Sequence, residues 1–96
     1  MKNNKLDFVN AQEMMEQNPN TFEAPTLDEL NNIQLNDFVK VSIGGERFWV
    51  CVGKLITDEI IEGVVNNDLL CTDVHGIECD DKIIFNKSNI FSIYEE

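Results

Sequence analysis

Asp37-Phe38-Val39-Lys40-Val41-Ser42-Ile43-Gly44-Gly45-Glu46-Arg47-Phe48-Trp49-Val50-Cys51-Val52 is the stretch on which the fold turns. Val39, Val41 and Ile43 recur at every second position, and so do Phe48, Val50 and Val52. A period of two gathers each set on one face of a strand, because successive side chains point to opposite sides. Phe38 falls on the other face of the first strand, and Arg47, Trp49 and Cys51 on the other face of the second. Gly44-Gly45 between the two runs is a hairpin-turn signal. The segment is therefore expected to be an antiparallel hairpin with one apolar face.

The same period continues downstream. The second strand is expected to run on toward Ile56 through Gly53, a place for a bulge or bend. Thr57-Asp58-Glu59 reads as a turn, Ile60 to Val65 as a third strand with Gly63 inside it, and Asn66-Asn67-Asp68 as turn material. Leu69 to Val74 is expected to be a fourth strand or an ordered loop. Lys82 to Phe85 is the next strand, Asn86 to Asn89 a tight turn, and Ile90 to Tyr94 the closing strand.

Upstream of residue 36 the pattern is polar and helical. Asn10-Ala11-Gln12-Glu13 reads as a capping box opening a helix that Asn18-Pro19-Asn20 stops near Gln17. Phe8, Met14 and Met15 are its apolar residues, and a helix this short needs docking to persist. Thr21 to Pro25 looks extended. Thr26-Leu27-Asp28-Glu29 is a second capping box, with Leu27 and Leu30 expected on one face of a short turn.

Several short strands at this spacing predict a mainly β protein, a small SH3-like antiparallel β-barrel of about five strands with an N-terminal helical arm. An α+β split sheet is the alternative. The 96 residues form one domain, with the arm at 1–35 and the barrel at 36–96. An internal echo supports this reading: Leu35-Asn36-Asp37-Phe38-Val39-Lys40-Val41 resembles Cys79-Asp80-Asp81-Lys82-Ile83-Ile84-Phe85. Asn36 and Asp80 stand where a left-handed turn residue belongs, and they are the non-glycine types that tolerate it best. Asp37 and Asp81 read as turn carboxylates accepting backbone N–H groups.

Charge narrows the function. Eighteen Asp and Glu against seven Lys and Arg give a formal charge of −11. Direct nucleic-acid binding needs a cationic face, and anionic membrane surfaces are disfavoured for the same reason. No apolar run reaches the ~18 residues of a membrane span, and the start of the chain lacks a signal-peptide core. Three cysteines without a CxxC fit free thiols in a reducing, cytoplasmic setting.

Taken together, Asp37-Phe38-Val39-Lys40-Val41, Glu46-Arg47-Phe48-Trp49-Val50, Gly63-Val64-Val65-Asn66-Asn67-Asp68 and Asp81-Lys82-Ile83-Ile84-Phe85 resemble small bacterial and phage domains related in pattern to the YegJ-like proteins. Thr21-Phe22-Glu23-Ala24-Pro25 is similar to the lead-in of those domains, and the likeness spans about residues 20–94. Asn36 and Asp80 depart from it where glycine is usual. The resemblance implies a small β fold and no agreed activity.

The candidate sites follow. Arg47 and Trp49 share a face, and alternation leaves two places for that face. The expected one packs Trp49 under the arm, against Phe8, Met14 or Leu30, because a single Trp is the largest plug a small barrel has. The other leaves Trp49 open as an anchor for a partner, with Arg47 stacking on it or pairing with a carboxylate. Between Lys54 and Lys82 there is no Lys or Arg, while Asp58, Glu59, Glu62, Asp68, Asp73, Glu78, Asp80 and Asp81 all fall there. Eight such carboxylates suit a basic partner if the strands gather them; the expected alternative is a solvated surface that keeps a small barrel monomeric.

Chemistry is not expected. Cys71, His75 and Cys79 are metal-capable types, but zinc wants four ligands; no metal or other cofactor is expected. On a strand, Cys71 and His75 would stand about 13 Å apart, too far for a dyad. The expectation is a non-enzymatic protein-binding or accessory domain, a monomer or weak homodimer with a protein partner. The alternative is an acidic inhibitor or immunity protein that blocks a basic nucleic-acid-handling protein.

Overall fold

The computed structural model describes residues 8–20 and 23–94, so Thr21 and Phe22 of the extended lead-in lie outside the described residues. Two helices, α1 (Ala11–Gln17) and α2 (Leu27–Asn31), precede the strands. Strands β1 (Phe38–Ile43), β2 (Glu46–Leu55) and β3 (Ile60–Val65) follow. Then come α3 (Thr72–His75), β4 (Lys82–Asn86), a 3-10 turn (Lys87–Asn89) and β5 (Ser92–Ile93). All ladders are antiparallel, and the sheet order is β4-β3-β2-β1-β5.

The hairpin forms as its sequence dictates. Gly44 and Gly45 take φ of 58° and 81°, the mirror-image turn whose twist matches that of the strands. That turn sets Lys40 opposite Trp49 and Phe38 opposite Cys51. β2 passes through Gly53 with a register shift between Val52 and Lys54, the expected bulge.

Two expectations need correction, and one left open between two alternatives is decided. The sheet is not closed into a barrel: no ladder joins β4 to β5 among the described residues. β5 pairs with β1 only at Val39↔Ile93 and Lys40↔Ser92, too short a strand to curl round to the far edge. Leu69 to Val74 is not a strand; it is a loop entering α3, so the ordered-loop alternative holds. Leu27 and Leu30 do not share a buried face, since Leu30 is 3% exposed and Leu27 73%. A five-residue helix touches the core along a stripe one side chain wide.

The inner face of the sheet carries the core. Val39, Val41, Ile43, Phe48, Val50, Val52, Ile61, Val65, Ile83 and Phe85 are buried there, covered by Leu30, Ile33, Ile77 and Ile90. Phe8 meets Phe85 edge-on at 6.2 Å. A second cluster joins Ala11, Ala24 and Phe91, with Met14 and Met15 against it. The second capping box forms in full, Thr26 and Glu29 bonding reciprocally, whereas the first forms in half: the Asn10 side chain accepts from the Glu13 N–H as an N-cap. The arm is thus docked at two places.

The echoed segments are one turn used twice. Asn36 and Asp80 have φ of 74° and 71°. The Asp37 carboxylate accepts from Gln34 N–H at 2.8 Å, and that of Asp81 from Glu78 N–H at 2.9 Å. Each turn then hooks a neighbouring strand: Asn36 N–H donates to the Val52 carbonyl and Asp80 N–H to that of Val65. Because φ is positive, Asn36→Ala is expected to cost about 1 kcal/mol, whereas Asn36→Gly should leave stability unchanged or raise it. Urea denaturation of the two variants checks the sign.

Candidate functional site

Trp49 does not pack under the arm. The register turns it away from the core, on the same side as Phe38, Lys40, Cys51, Val64 and Ile84. Phe8 and Leu30 belong to the inner core and Met14 to the second cluster, so the expected partners of Trp49 lie elsewhere. Its physical neighbours are Tyr94, edge-on at 6.0 Å, and the Lys40 ammonium, 4.7 Å from the ring centre. Tyr94 also meets Phe38 edge-on at 6.4 Å. Phe38, Trp49, Tyr94 and Asn66 line an open depression of about 320 Å3. Trp49 and Phe38 are half-buried and Tyr94 is 56% exposed. The walls are held from behind: Trp49 N–H donates to the Asn67 side chain at 2.7 Å, and Tyr94 N–H donates to the Phe38 carbonyl.

Arg47 shares this face but does not stack on Trp49. Its guanidinium lies 4.7 Å from the centre of the Phe91 ring, over the second cluster. Lys40 occupies the place over Trp49 instead. Sequence reasoning missed Lys40, Phe38 and Tyr94 as members of the site. The signal for two of them was present, since a two-residue turn at Gly44-Gly45 fixes Lys40 against Trp49 and brings Phe38 one rung away.

The eight carboxylates are not gathered on one face. Asp58 and Glu59 sit in the turn before β3, whereas Asp68, Asp73, Glu78, Asp80 and Asp81 follow its other end. Six residues of strand span about 17–20 Å, beyond the ~8 Å Debye length at physiological salt. Glu62 stands by itself between them on the open face, opposite Lys54 and Ile84. Asp81 is committed to its turn. The acidic group that remains at one end includes Asp68 and Glu78, which with Leu69, Thr72 and Cys79 line a shallow depression.

The connection from Asn66 to Asp81 is fastened to the hairpin by Glu46. Its carboxylate accepts from the N–H groups of Leu70 (2.8 Å) and Cys71 (2.9 Å) and meets His75 Nε2 at 3.0 Å. His75 Nδ1 accepts from Ile77 N–H, so the ring proton sits on Nε2 and is donated to Glu46. The Leu70 N–H, then His75, hold the Glu46 carboxyl below its ordinary value of 4.5. The imidazole is 1% exposed, and both its nitrogens are occupied. Cys71 and His75 stand on one helical turn, not on a strand, which removes the strand-spacing argument against a dyad. The bonds of the imidazole to Glu46 and Ile77 commit it to structure in its place. Among the described residues no group of three metal-capable side chains comes together. Partial desolvation, then the carboxylates of Asp80 and Asp68, push the Cys79 thiol up, away from nucleophilic reactivity.

Comparison with protein families, curated proteins and solved structures gave no match. No helix among the described residues is long and apolar enough to cross a membrane.

Proposed function

We propose that this chain is a non-enzymatic protein-binding domain of SH3-like type that docks a partner on the open face around Trp49. The observation that carries the reading is the position of Trp49. The largest side chain of the molecule is withheld from the core and set with Phe38 and Tyr94 around a depression. Aromatic side chains in such surroundings are the usual anchors of protein contacts. The return of β5 to β1, with a 3-10 turn before it, supports the SH3-like description. The chain is proposed to work in a cytoplasmic setting, as a monomer or weak homodimer.

The test compares wild type and Trp49→Ala on a column of nuclease-treated lysate, washed at low and at high salt. Trp49 does not fill the core, so the variant should keep its circular dichroism and melting temperature. A partner held through high salt by wild type should bind the variant about 30-fold more weakly, the loss of a hot-spot residue. Equal retention by the two proteins would refute the reading. A second reading, an acidic inhibitor of a basic nucleic-acid-handling protein, draws support from the depression that Asp68 and Glu78 line. It requires binding that survives Trp49→Ala, weakens with salt and disappears in Asp68→Asn/Glu78→Gln.

A further inference from the structure

The charges of this acidic chain are sorted by the sheet. Four strand residues are cationic, and all four point to the open face: Lys40 opposite Trp49, Arg47 opposite Ser42, Lys54 opposite Glu62, and Lys82 opposite Val64. Of the two carboxylates carried on strands, Glu62 is on that face, and Glu46 is turned away into its bonds with Leu70, Cys71 and His75. Among the described residues, the sheet of this protein of formal charge −11 thus carries a locally cationic open face, and the aromatic depression lies within it.

We infer that the face around Trp49 takes a short acidic segment of a protein, an apolar anchor residue flanked by one or two carboxylates. The inference rests on the protein-binding reading above and adds the chemistry of the partner. The anchor fills the depression between Phe38, Trp49 and Tyr94. Lys40 is the ammonium nearest to it, held over the Trp49 ring at 4.7 Å. Lys82 ends the rung Phe38–Cys51–Val64–Lys82 and meets a carboxylate on the other side. Half-buried Cys51 and Val64 give the segment an apolar floor between the two lysines.

The same observations argue against a nucleic-acid strand. Aromatic rings with lysines also suit stacked bases, but a strand carries a phosphate at every nucleotide. Such a strand would run from the lysines onto Glu62 within the face, and onto Asp68, two residues beyond Asn66 at the rim of the depression. A segment with a few carboxylates beside its anchor ends before it meets them.

The experiment is a titration of the isotope-labelled full chain, followed by nuclear magnetic resonance, with blocked pentapeptides centred on Phe. One carries Asp and Glu on both sides, one the matching Asn and Gln, one Lys; octathymidylate is the fourth probe. The acidic peptide should shift the Trp49 indole and the Lys40 and Tyr94 signals, and bind about five-fold more tightly than the amide peptide, as expected for two exposed ion pairs. Lys40→Gln/Lys82→Gln should remove that preference, so that the acidic and the amide peptides bind the variant equally. Equal or tighter binding of the amide or the Lys peptide at Trp49 would overturn the acidic partner and leave the docking face standing. Tighter binding of octathymidylate would overturn it in favour of nucleic acid. Failure of every probe to move the Trp49 indole at millimolar concentration would overturn the docking face itself.

Discussion

Gly63→Ala is expected to lose about 3 kcal/mol of folding stability, the upper part of the usual range for overpacking a core. Gly63 lies in the middle of β3, opposite Val52 and Ile83, with its missing side chain directed at the core. A methyl group there would collide with Val50 Cγ1 and come within 2.9 Å of the Cys51 carbonyl oxygen, with Phe85 at 3.4 Å behind it. Val50 is fully buried and the carbonyl is backbone, so neither moves aside without shifting the central strand. For a domain of this size such a loss lowers the melting temperature by roughly 12–24 °C. Gly53→Ala is the control. A methyl at Gly53 finds only the Glu62 carbonyl at 3.7 Å, an ordinary contact, and should leave the midpoint nearly unmoved. Thermal and urea melts of the pair test the claim, and equal stabilities would sink it.

The second large effect is local. Glu46→Gln is expected to release the connection between β3 and β4 while the sheet stays folded. One carboxylate oxygen accepts from Leu70, and the other from Cys71 and His75. A glutamine side chain offers one oxygen and puts an NH2 where the other stood, facing a backbone N–H. Hydrogen exchange should show Leu70 and Cys71 amides losing their protection while amides of β1 and β2 keep theirs. His75 and Val74 lie against the hairpin turn, 3.3 Å from where a side chain at Gly44 would begin, so the turn should report the release too.

The same carboxylate makes the connection sensitive to acid. Its pKa in the folded protein is lowered from 4.5, chiefly by the Leu70 N–H bond. A depressed carboxyl stabilises the fold fully above its unfolded value and loses that contribution as pH falls through the folded one. Protection at Leu70 and Cys71 is therefore expected to be flat above pH 4.5 and to fall below it in the wild type. Glu46→Gln should show low protection at every pH. A wild-type profile identical to that of the variant would show that the carboxylate does not hold the connection.

Alternation and turn chemistry alone determined much of this protein. Val39, Val41, Ile43, Phe48, Val50 and Val52 had to face one side together, because one apolar set per strand can be buried only there. Gly44-Gly45 made a two-residue turn, and a turn of that length sets every pair of the hairpin. Asn36 with Asp37, and Asp80 with Asp81, carried their turns in their own side chains, since an Asp that accepts a nearby N–H needs no distant partner. The N-caps at Asn10 and Thr26 were legible for the same reason.

What only the tertiary structure decided was which side of the sheet the rest of the chain would cover. Alternation says that Trp49 and Phe48 point apart; it does not say where the arm lies. Leu30, Ile33, Ile77 and Ile90 went to the Phe48 side, and that choice left Trp49 open. Tyr94 joined Trp49 because β5 returns to pair with β1 across more than fifty residues, a distance over which no local pattern speaks. The strand lysines came together for the same reason, and the acidic run came apart because β3 runs between its two halves. Side-chain direction is a local property of the backbone, whereas the face that becomes a surface is settled only when distant segments compete to bury their apolar side chains.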